Sequence, residues 1–163
     1  MPEPSLEQLY EVISTLVSTV GRDRRLNDPR AESVTVRSPI CGSQLTLEAV
    51  IVNDRVEQLG WKVRSCALGQ ATTAIVIQHQ EQLDAARVAR VGSQLRALLK
   101  GEITHCDWPE LDAFAAAREI SSRHESALLP FTALGALFER AQSRYEACGQ
   151  TTDGRKYPEE SAP

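Results

Sequence analysis

The segment QLTLEAVIVNDRVEQLGWKVR, residues 44–64, decides the fold, because it contains two largely apolar runs joined by a short polar turn. Asn53 and Asp54 separate the runs, and both residue types suit a tight turn between antiparallel strands. Each run alternates apolar and polar positions, which is the period of a strand with one buried face. The apolar positions are Leu45, Leu47, Ala49 and Ile51 in the first run and Leu59, Trp61 and Val63 in the second. The segment therefore predicts an antiparallel β-hairpin.

The residues before this hairpin predict one helix and one further strand. In PSLEQLYEVISTLVSTV, residues 4–20, apolar residues recur at helical spacing behind a capping box formed by Ser5 and Gln8. The charged segment GRDRRLNDPRAE lacks such a period and predicts a loop that leads to SVTVR, residues 33–37. Because SVTVR is rich in β-branched residues, we expect it to add a third strand and complete an antiparallel meander.

The residues from Ala67 onward predict helices, because apolar residues now recur three and four positions apart. One of the helices is expected to be short, with Asp107 as its cap and Pro109 in its first turn. Strands followed by helices indicate an α+β domain, a small antiparallel three-stranded sheet with helices packed on one face. We expect a single domain over residues 1–148 and a flexible C-terminal tail over residues 149–163, where no apolar pattern remains.

The composition narrows the classes of function. The chain has 163 residues, 18 basic and 22 acidic side chains and a formal charge of −4, without the basic cluster that marks a nucleic-acid partner. No apolar run reaches the roughly 20 residues that cross a bilayer, and the start MPEPSLEQLY does not resemble a signal peptide. We therefore expect a cytoplasmic protein with no nucleic-acid or membrane partner. In that reducing compartment its four cysteines are expected to be thiols or ligands rather than disulfides.

Two of the cysteines are predicted to lie at the same end of the sheet. Cys41 precedes the first run of the hairpin and Cys66 follows the second, so antiparallel pairing brings them together. Cys66 also opens a helix, where the backbone N–H groups and the helix dipole favour the thiolate form. Two thiols so placed could form a metal or sulfur site. Each could equally be a buried small apolar residue, so both interpretations stay open at this point.

The order of these features resembles the NifU/IscU family of iron-sulfur cluster assembly scaffolds, and its SufU branch most closely. The shared features are a first helix, a Pro-x-Cys-Gly turn at Cys41, a hairpin, and a cysteine at Cys66 that opens a helix rich in small residues. The segment LLKGEITHCDWPELDAFAAAREI resembles the insertion that the SufU branch carries before its last helix. The resemblance covers residues 5–140 and implies the α+β fold of that family, SufU/IscU-like.

The resemblance also implies a site of three cysteines and one aspartate, of which this chain keeps half. Cys41 and Cys66 match the first two cysteines and are the predicted metal ligands. Ser43 stands at the aspartate position, and Ser126, in RHESALLPFTAL, stands where the third cysteine belongs. A neutral hydroxyl is a poor ligand beside thiolate or carboxylate, so these two serines are departures that weaken the implied site.

Cys106 and His124 are the residues that could complete the ligand set. Cys106 lies in the inserted segment, which would have to fold over the end of the sheet, and His124 lies just before Ser126. The simpler interpretation is that Cys106 is an incidental thiol and His124 a half-exposed polar residue near a helix start.

The resemblance implies that this protein is not an enzyme but a scaffold or carrier, which binds a labile iron-sulfur cluster (2Fe-2S) or zinc through Cys41 and Cys66. The implied partners are a cysteine desulfurase, other iron-sulfur assembly proteins and a second copy in a homodimer. A purified protein that carries no metal or cluster is compatible with this interpretation. Two alternatives stay open. One is a sulfur-transfer accessory with Cys66 as the sulfur acceptor, and the other is a degenerate adaptor that only docks on the desulfurase.

Overall fold

A computed structural model describes residues 3–20 and 23–160, with the side chains described as far as residue 148. No helix within these ranges is long and apolar enough to cross a membrane. The regular elements, in chain order, are α1 (Leu6–Val20), β1 (Glu32–Arg37), β2 (Gln44–Val52), β3 (Arg55–Arg64), α2 (Ala67–Gln78), α3 (Ala85–Leu99) and α4 (His124–Glu160), with short 3-10 helices at Gln80–Gln82, Pro109–Ala117 and Ser121–Arg123.

The sheet is the predicted meander, with strand order β1-β2-β3 and antiparallel pairing throughout. The β2–β3 turn consists of Asn53 and Asp54, whose φ angles of 51° and 59° are positive at both positions. This is the turn geometry whose twist matches that of the two strands, and asparagine and aspartate tolerate it better than most residues do. The hairpin prediction is therefore confirmed.

The alternation of buried and exposed positions in β2 changes at a β-bulge. Leu45, Leu47 and Ala49 face the core at 0 %, 1 % and 2 % exposure, as expected. The pairing register then shifts between Val50 and Ile51, so Val50 is buried and Ile51 only partly so. Ile51 is nevertheless one of the partly buried apolar residues that pack against the core with Leu45, Leu47 and Ala49, as the alternation predicts.

The helices pack on the face of the sheet that carries Leu45 and Leu47, as the α+β prediction required. α4 packs against β1 and β2, α2 and α3 pack against α4, and α1 packs against α2. On the opposite face the exposed hydroxyls of Thr35 and Thr46 pair across β1 and β2 at 2.8 Å. The capping box of α1 is also present, since Ser5 N–H donates to Gln8 Oε1 and Gln8 N–H donates to Ser5 Oγ.

The free edge of β3 is closed by the chain that follows α1. Arg24 and Trp61 exchange two backbone hydrogen bonds of 2.9 and 2.7 Å, and Asp23 forms an ion pair of 2.8 Å with Arg64. A Cβ on Gly60 would lie 2.7 Å from the Arg24 carbonyl oxygen, so this close approach needs glycine. The loop thus covers an exposed strand edge and fixes the end of β3 that leads into Cys66.

The inserted segment before α4 contains a short 3-10 helix, Pro109–Ala117, with Pro109 in its first turn as predicted, but its cap differs from the prediction. Trp108, not Asp107, holds the N-cap position of Pro109–Ala117. The Asp107 carboxylate instead pairs with Arg90 at 2.8 Å and accepts a hydrogen bond from Gln94 Nε2. The cap prediction was wrong because contacts with α3 withdraw the carboxylate from the helix start.

The single domain predicted for residues 1–148 and the flexible tail predicted for 149–163 stay predictions. α4 continues to Glu160, but the side chains beyond residue 148 and residues 161–163 lie outside the described part of the structure.

Candidate two-thiol site

Cys41 lies in the connection between β1 and β2, residues 38–43. Ser38 N–H donates to the Ser43 carbonyl at 2.8 Å, and Gly42 N–H donates to the Ser38 carbonyl at 3.0 Å. Gly42 has a φ of 74°, a conformation that glycine adopts without strain. These bonds hold the turn closed at the end of the sheet, with the Cys41 thiol partly exposed.

Cys66 reaches the same end of the sheet through the strand register. Gln44, the first residue of β2, pairs with Arg64, the last residue of β3, so the residues just outside the pair are neighbours. The Cys66 N–H donates to Ser43 Oγ at 3.2 Å, and Cys66 occupies the N-cap position of α2. The structure therefore brings Cys41 and Cys66 to one site and starts a helix at Cys66.

Ser126 joins this site from the first turn of α4. Its side chain is fully buried, and its Oγ lies 3.1 Å from Cys66 Sγ and 3.0 Å from Ser65 Oγ. Ser126 also donates a hydrogen bond of 3.0 Å to Ser43 Oγ. Ser43 and Ser126 thus both contact the thiols, although they lie on different elements.

Hydrogen bonds through Ser43 and Ser126 connect the two sulfurs. At Ser43 Oγ there are more hydrogen-bond donors than the oxygen can accept. In its neutral form Cys41 donates to Ser43 Oγ at 3.1 Å, so that oxygen faces the Cys41 S–H, the Cys66 N–H and the Ser126 O–H. A hydroxyl oxygen has two lone pairs and cannot accept all three bonds well. Loss of the Cys41 proton removes one donor and lets Ser43 donate its own hydrogen to the sulfur.

The pKa values of the two thiols follow from this environment. Burial raises the pKa of Cys41, but hydrogen bonds from Ser38 and Ser43 outweigh burial and lower the pKa to about 6. Burial likewise raises the pKa of Cys66, but Ser126 and the α2 backbone N–H groups of Gly69 and Leu68 reverse this and lower it. Both sites thus favour thiolate, the form that ligates metal and attacks sulfur.

Gly69 makes the contact between α2 and α4 possible at this site. A Cβ there would lie 1.9 Å from Ser65 Oγ, 2.7 Å from Ser126 Oγ and 3.0 Å from the Ser126 carbonyl oxygen. Any side chain would displace both hydroxyls. The sequence marks Gly69 only as one of several small residues, so its role depends on a helix that comes much later in the chain.

Cys106 and His124, the two residues that could complete the ligand set, form hydrogen bonds with residues outside the two-thiol site. The Cys106 N–H donates to Asp112 Oδ1 at 2.7 Å, and burial together with Asp112 and Asp107 raises the pKa of its thiol to about 12. His124 Nε2 pairs with the Ala117 carbonyl at 3.0 Å. Within the residues that the structure describes, no three histidine, cysteine, aspartate or glutamate side chains are grouped to hold a metal ion. One chain therefore offers two thiolates, half of what zinc or a cluster takes.

The fold is shared with solved structures. The chain superposes on a nitrogen-fixing NifU-like protein (N-terminal) from Brucella abortus with a TM-score of 0.70 and 22 % identity, covering 83 % of this chain and 98 % of that one. It superposes on the SufU protein of Fervidobacterium islandicum AW-1, described as an iron-sulfur cluster assembly scaffold protein for the SUF system, with a TM-score of 0.64 and 18 % identity over 80 % of this chain and 96 % of that one. A hypothetical protein matches with a TM-score of 0.67 and 14 % identity, over 80 % of this chain and 98 % of that one.

The sequence itself matches no protein-family profile and no curated protein. At these identities the likeness shows that the chain has the α+β fold of NifU-like and SufU scaffold proteins.

Proposed function

We propose that this protein is a member of the NifU/IscU-type iron-sulfur assembly proteins that acts as a scaffold or carrier, not as an enzyme. Its cargo is a labile [2Fe-2S] cluster or a metal ion, which Cys41 and Cys66 bind in the cytoplasm. A cysteine desulfurase and other assembly proteins are its partners. The observation that carries the proposal is the meeting of two thiolate-favouring cysteines at one end of a sheet with this fold.

Three features of the site support this role. Both thiols are partly exposed, so cargo can enter and leave. Ser43 and Ser126 are buried and supply hydroxyl donors that stabilise thiolate. The chain nevertheless provides only two strong ligands, and a half-filled ligand set gives weak and reversible binding, which suits a carrier better than a permanent cofactor site.

We expect the protein purified without oxygen to carry less than one equivalent of iron or zinc, and Cys41→Ser to carry none. Metal analysis and a visible absorption spectrum of both proteins measure this. Cys148→Ala is the matched control, because Cys148 lies exposed on α4 and should leave metal content unchanged. Equal metal in wild type and Cys41→Ser would show that the metal is bound elsewhere.

A second candidate function is transfer of sulfane sulfur, and the hydroxyl groups around Cys41 favour it. The Cys41 thiolate would attack the terminal sulfur of a desulfurase persulfide. The persulfide S–S bond breaks, a new S–S bond forms on Cys41, and the desulfurase cysteine leaves as thiolate. The helix dipole by itself favours Cys66 as the acceptor, but Cys41 is the thiol whose pKa falls to about 6, so we assign the acceptor role to Cys41.

Incubation with a cysteine desulfurase and cysteine is expected to add the mass of one sulfur atom to Cys41. Peptide mass spectrometry after blocking of the thiols would locate it. Cys41→Ala should abolish the added sulfur, while Cys148→Ala should retain it. If neither Cys41 nor Cys66 gains sulfur and the protein still binds the desulfurase, the adaptor alternative is correct.

A further inference from the structure

We propose that Cys41 and Cys66 together reduce the sulfur that Cys41 receives from a persulfide, so that it leaves as sulfide and an intrachain disulfide joins the two cysteines. The inference rests on the second candidate function, sulfur transfer, and extends it from accepting sulfur to reducing it. The two cysteines have different roles, because Cys41 receives the sulfur and Cys66 displaces it.

The two sulfurs lie close enough to form a bond once their side chains rotate. Ser43 Oγ lies 3.1 Å from Cys41 Sγ, Ser126 Oγ lies 3.1 Å from Cys66 Sγ, and the two oxygens are 3.0 Å apart. Each hydroxyl also reaches the opposite sulfur, since both serines contribute to lowering the pKa of both thiols. The sulfurs therefore flank one pair of oxygens. Rotation about a Cα–Cβ bond moves a cysteine sulfur by about 3 Å, so the two side chains can reach the S–S bond length of about 2 Å.

The backbone segments that carry the thiols are fixed beside each other. Gln44 pairs with Arg64 at the end of the sheet, and the Cys66 N–H donates to Ser43 Oγ at 3.2 Å. This hydrogen bond ties the start of α2 to the turn that contains Cys41. The disulfide therefore requires movement of side chains, not of strands.

The surroundings of the two thiols decide which one receives the sulfur. Cys66 packs against the hydrophobic core and begins α2. Cys41 lies in the turn between Ile40 and Gly42, which are both exposed. A persulfide on another protein therefore reaches Cys41 first, and Cys66 attacks second from within the chain.

The second step balances in atoms and electrons. The Cys66 thiolate attacks Cys41 Sγ, the bond from Cys41 Sγ to the outer sulfur breaks, and a bond between the two cysteine sulfurs forms. The outer sulfur leaves with the electron pair as hydrosulfide, so it gains two electrons while the two thiols together lose two. A dithiol reductant restores both thiols by ordinary thiol–disulfide exchange before the next cycle.

The number of thiols at the site matches this reaction. Reduction of one sulfane sulfur requires two electrons, which one pair of thiols supplies. Ser43 and Ser126 contact the sulfurs through hydroxyls, which hydrogen-bond to them without being oxidised. In the part of the chain that the structure describes, no third cysteine or carboxylate joins the pair in one group. No neighbouring thiol is therefore placed to reopen the disulfide.

A buried hydroxyl beside Cys41 can bind the leaving sulfur. Ser38 is 1 % exposed, and its hydroxyl has no hydrogen-bond partner among the residues whose side chains are described. It lies close enough to the Cys41 thiol to lower the pKa of that thiol, so it points into the site. A buried donor without a partner costs free energy, and a hydrogen bond to the outer sulfur of the persulfide would recover it.

A single-turnover measurement without oxygen tests the inference. The reduced, metal-free chain is mixed with a cysteine desulfurase that is loaded with persulfide and freed of cysteine, and in a second series with glutathione persulfide. We expect wild type to release about one sulfide per sulfur received and to show a Cys41–Cys66 disulfide in non-reducing peptide maps. A thiol-blocking reagent added early should trap the sulfur on Cys41, and the same reagent added late should find the disulfide.

Three variants separate acceptance of sulfur from its release. Cys66→Ser should keep the sulfur on Cys41 and release sulfide at least about tenfold more slowly than wild type. Ser38→Ala should accept sulfur at the wild-type rate but release it about tenfold more slowly, the effect of one lost hydrogen bond. Cys148→Ala is the matched control and should behave as wild type does. Circular dichroism spectra establish that all three variants are folded.

The possible failures have different meanings. A stable persulfide on wild-type Cys41, without sulfide or disulfide, would overturn the inference and leave sulfur transfer standing. Sulfide release from Cys66→Ser at the wild-type rate would also overturn it, because the second thiol would then take no part. If neither donor places sulfur on Cys41, the inference and the sulfur-transfer candidate both fall, while the carrier function, which is measured by metal content, is unaffected.

Discussion

Alkylation of Cys41 at pH 7 is expected to outpace alkylation of Cys106 by about two to three orders of magnitude. The pKa of Cys41 is lowered to about 6, so most of this thiol is ionised at pH 7, whereas the pKa of Cys106 is raised to about 12. The ratio of thiolate populations is larger still, but a low-pKa thiolate is intrinsically less nucleophilic, which reduces the difference in rate. Site-resolved mass spectrometry after brief treatment with iodoacetamide measures both rates.

The pH dependence of the same alkylation reaction tests whether the lowered pKa of Cys41 is the cause of its fast reaction. The rate at Cys41 should rise as the pH passes through about 6 and then level off, because the thiolate form is complete above its pKa. Ser43→Ala removes a hydroxyl donor to the thiolate and should move this midpoint toward the ordinary thiol pKa of about 8.5. Ser93→Ala, an exposed serine on α3, is the matched control and should leave the midpoint in place. An unchanged midpoint in Ser43→Ala would mean that this hydroxyl does not stabilise the thiolate.

Trp108→Ala is expected to lower the free energy of unfolding by about 3–5 kcal/mol, the range for removal of a large buried aromatic side chain. Trp108 is 2 % exposed and stacks on His79, with ring centroids 4.2 Å apart and planes within 3°. It also contacts Phe131 of α4 at a centroid distance of 5.9 Å. Denaturant unfolding monitored by circular dichroism measures the loss.

Two further variants separate packing from other effects of this tryptophan. Its Nε1 is buried and has no hydrogen-bond partner among the described residues, so Trp108→Phe should lose no hydrogen bond and cost much less than the alanine variant. Tyr145→Ala removes an aromatic ring that is 75 % exposed and should change stability by less than about 0.5 kcal/mol. A Trp108→Ala protein as stable as Tyr145→Ala would show that the inserted segment is not anchored to the core through this ring.

The sequence by itself determined the local elements and the proximity of Cys41 and Cys66. Asn53 and Asp54 fix the hairpin because they tolerate the positive φ angles of its turn, and the capping box at Ser5 and Gln8 fixes the start of α1. Once β2 and β3 pair across that turn, Cys41 and Cys66 must lie at the same end. All of these are consequences of short-range chemistry, which can be deduced from neighbouring residues.

Only the tertiary structure decided the ionisation of the two thiols and the contacts of Asp107 in the inserted segment. Ser126 meets Cys66 only because α4 packs against α2 at Gly69, and the hydroxyls that lower the thiol pKa values come from the β1–β2 connection and from α4. Asp107 likewise contacts α3 instead of capping its own helix. Sequence periodicity predicts which face of an element is buried, but hydrogen bonding and desolvation depend on atoms that only the folded chain brings within about 3 Å.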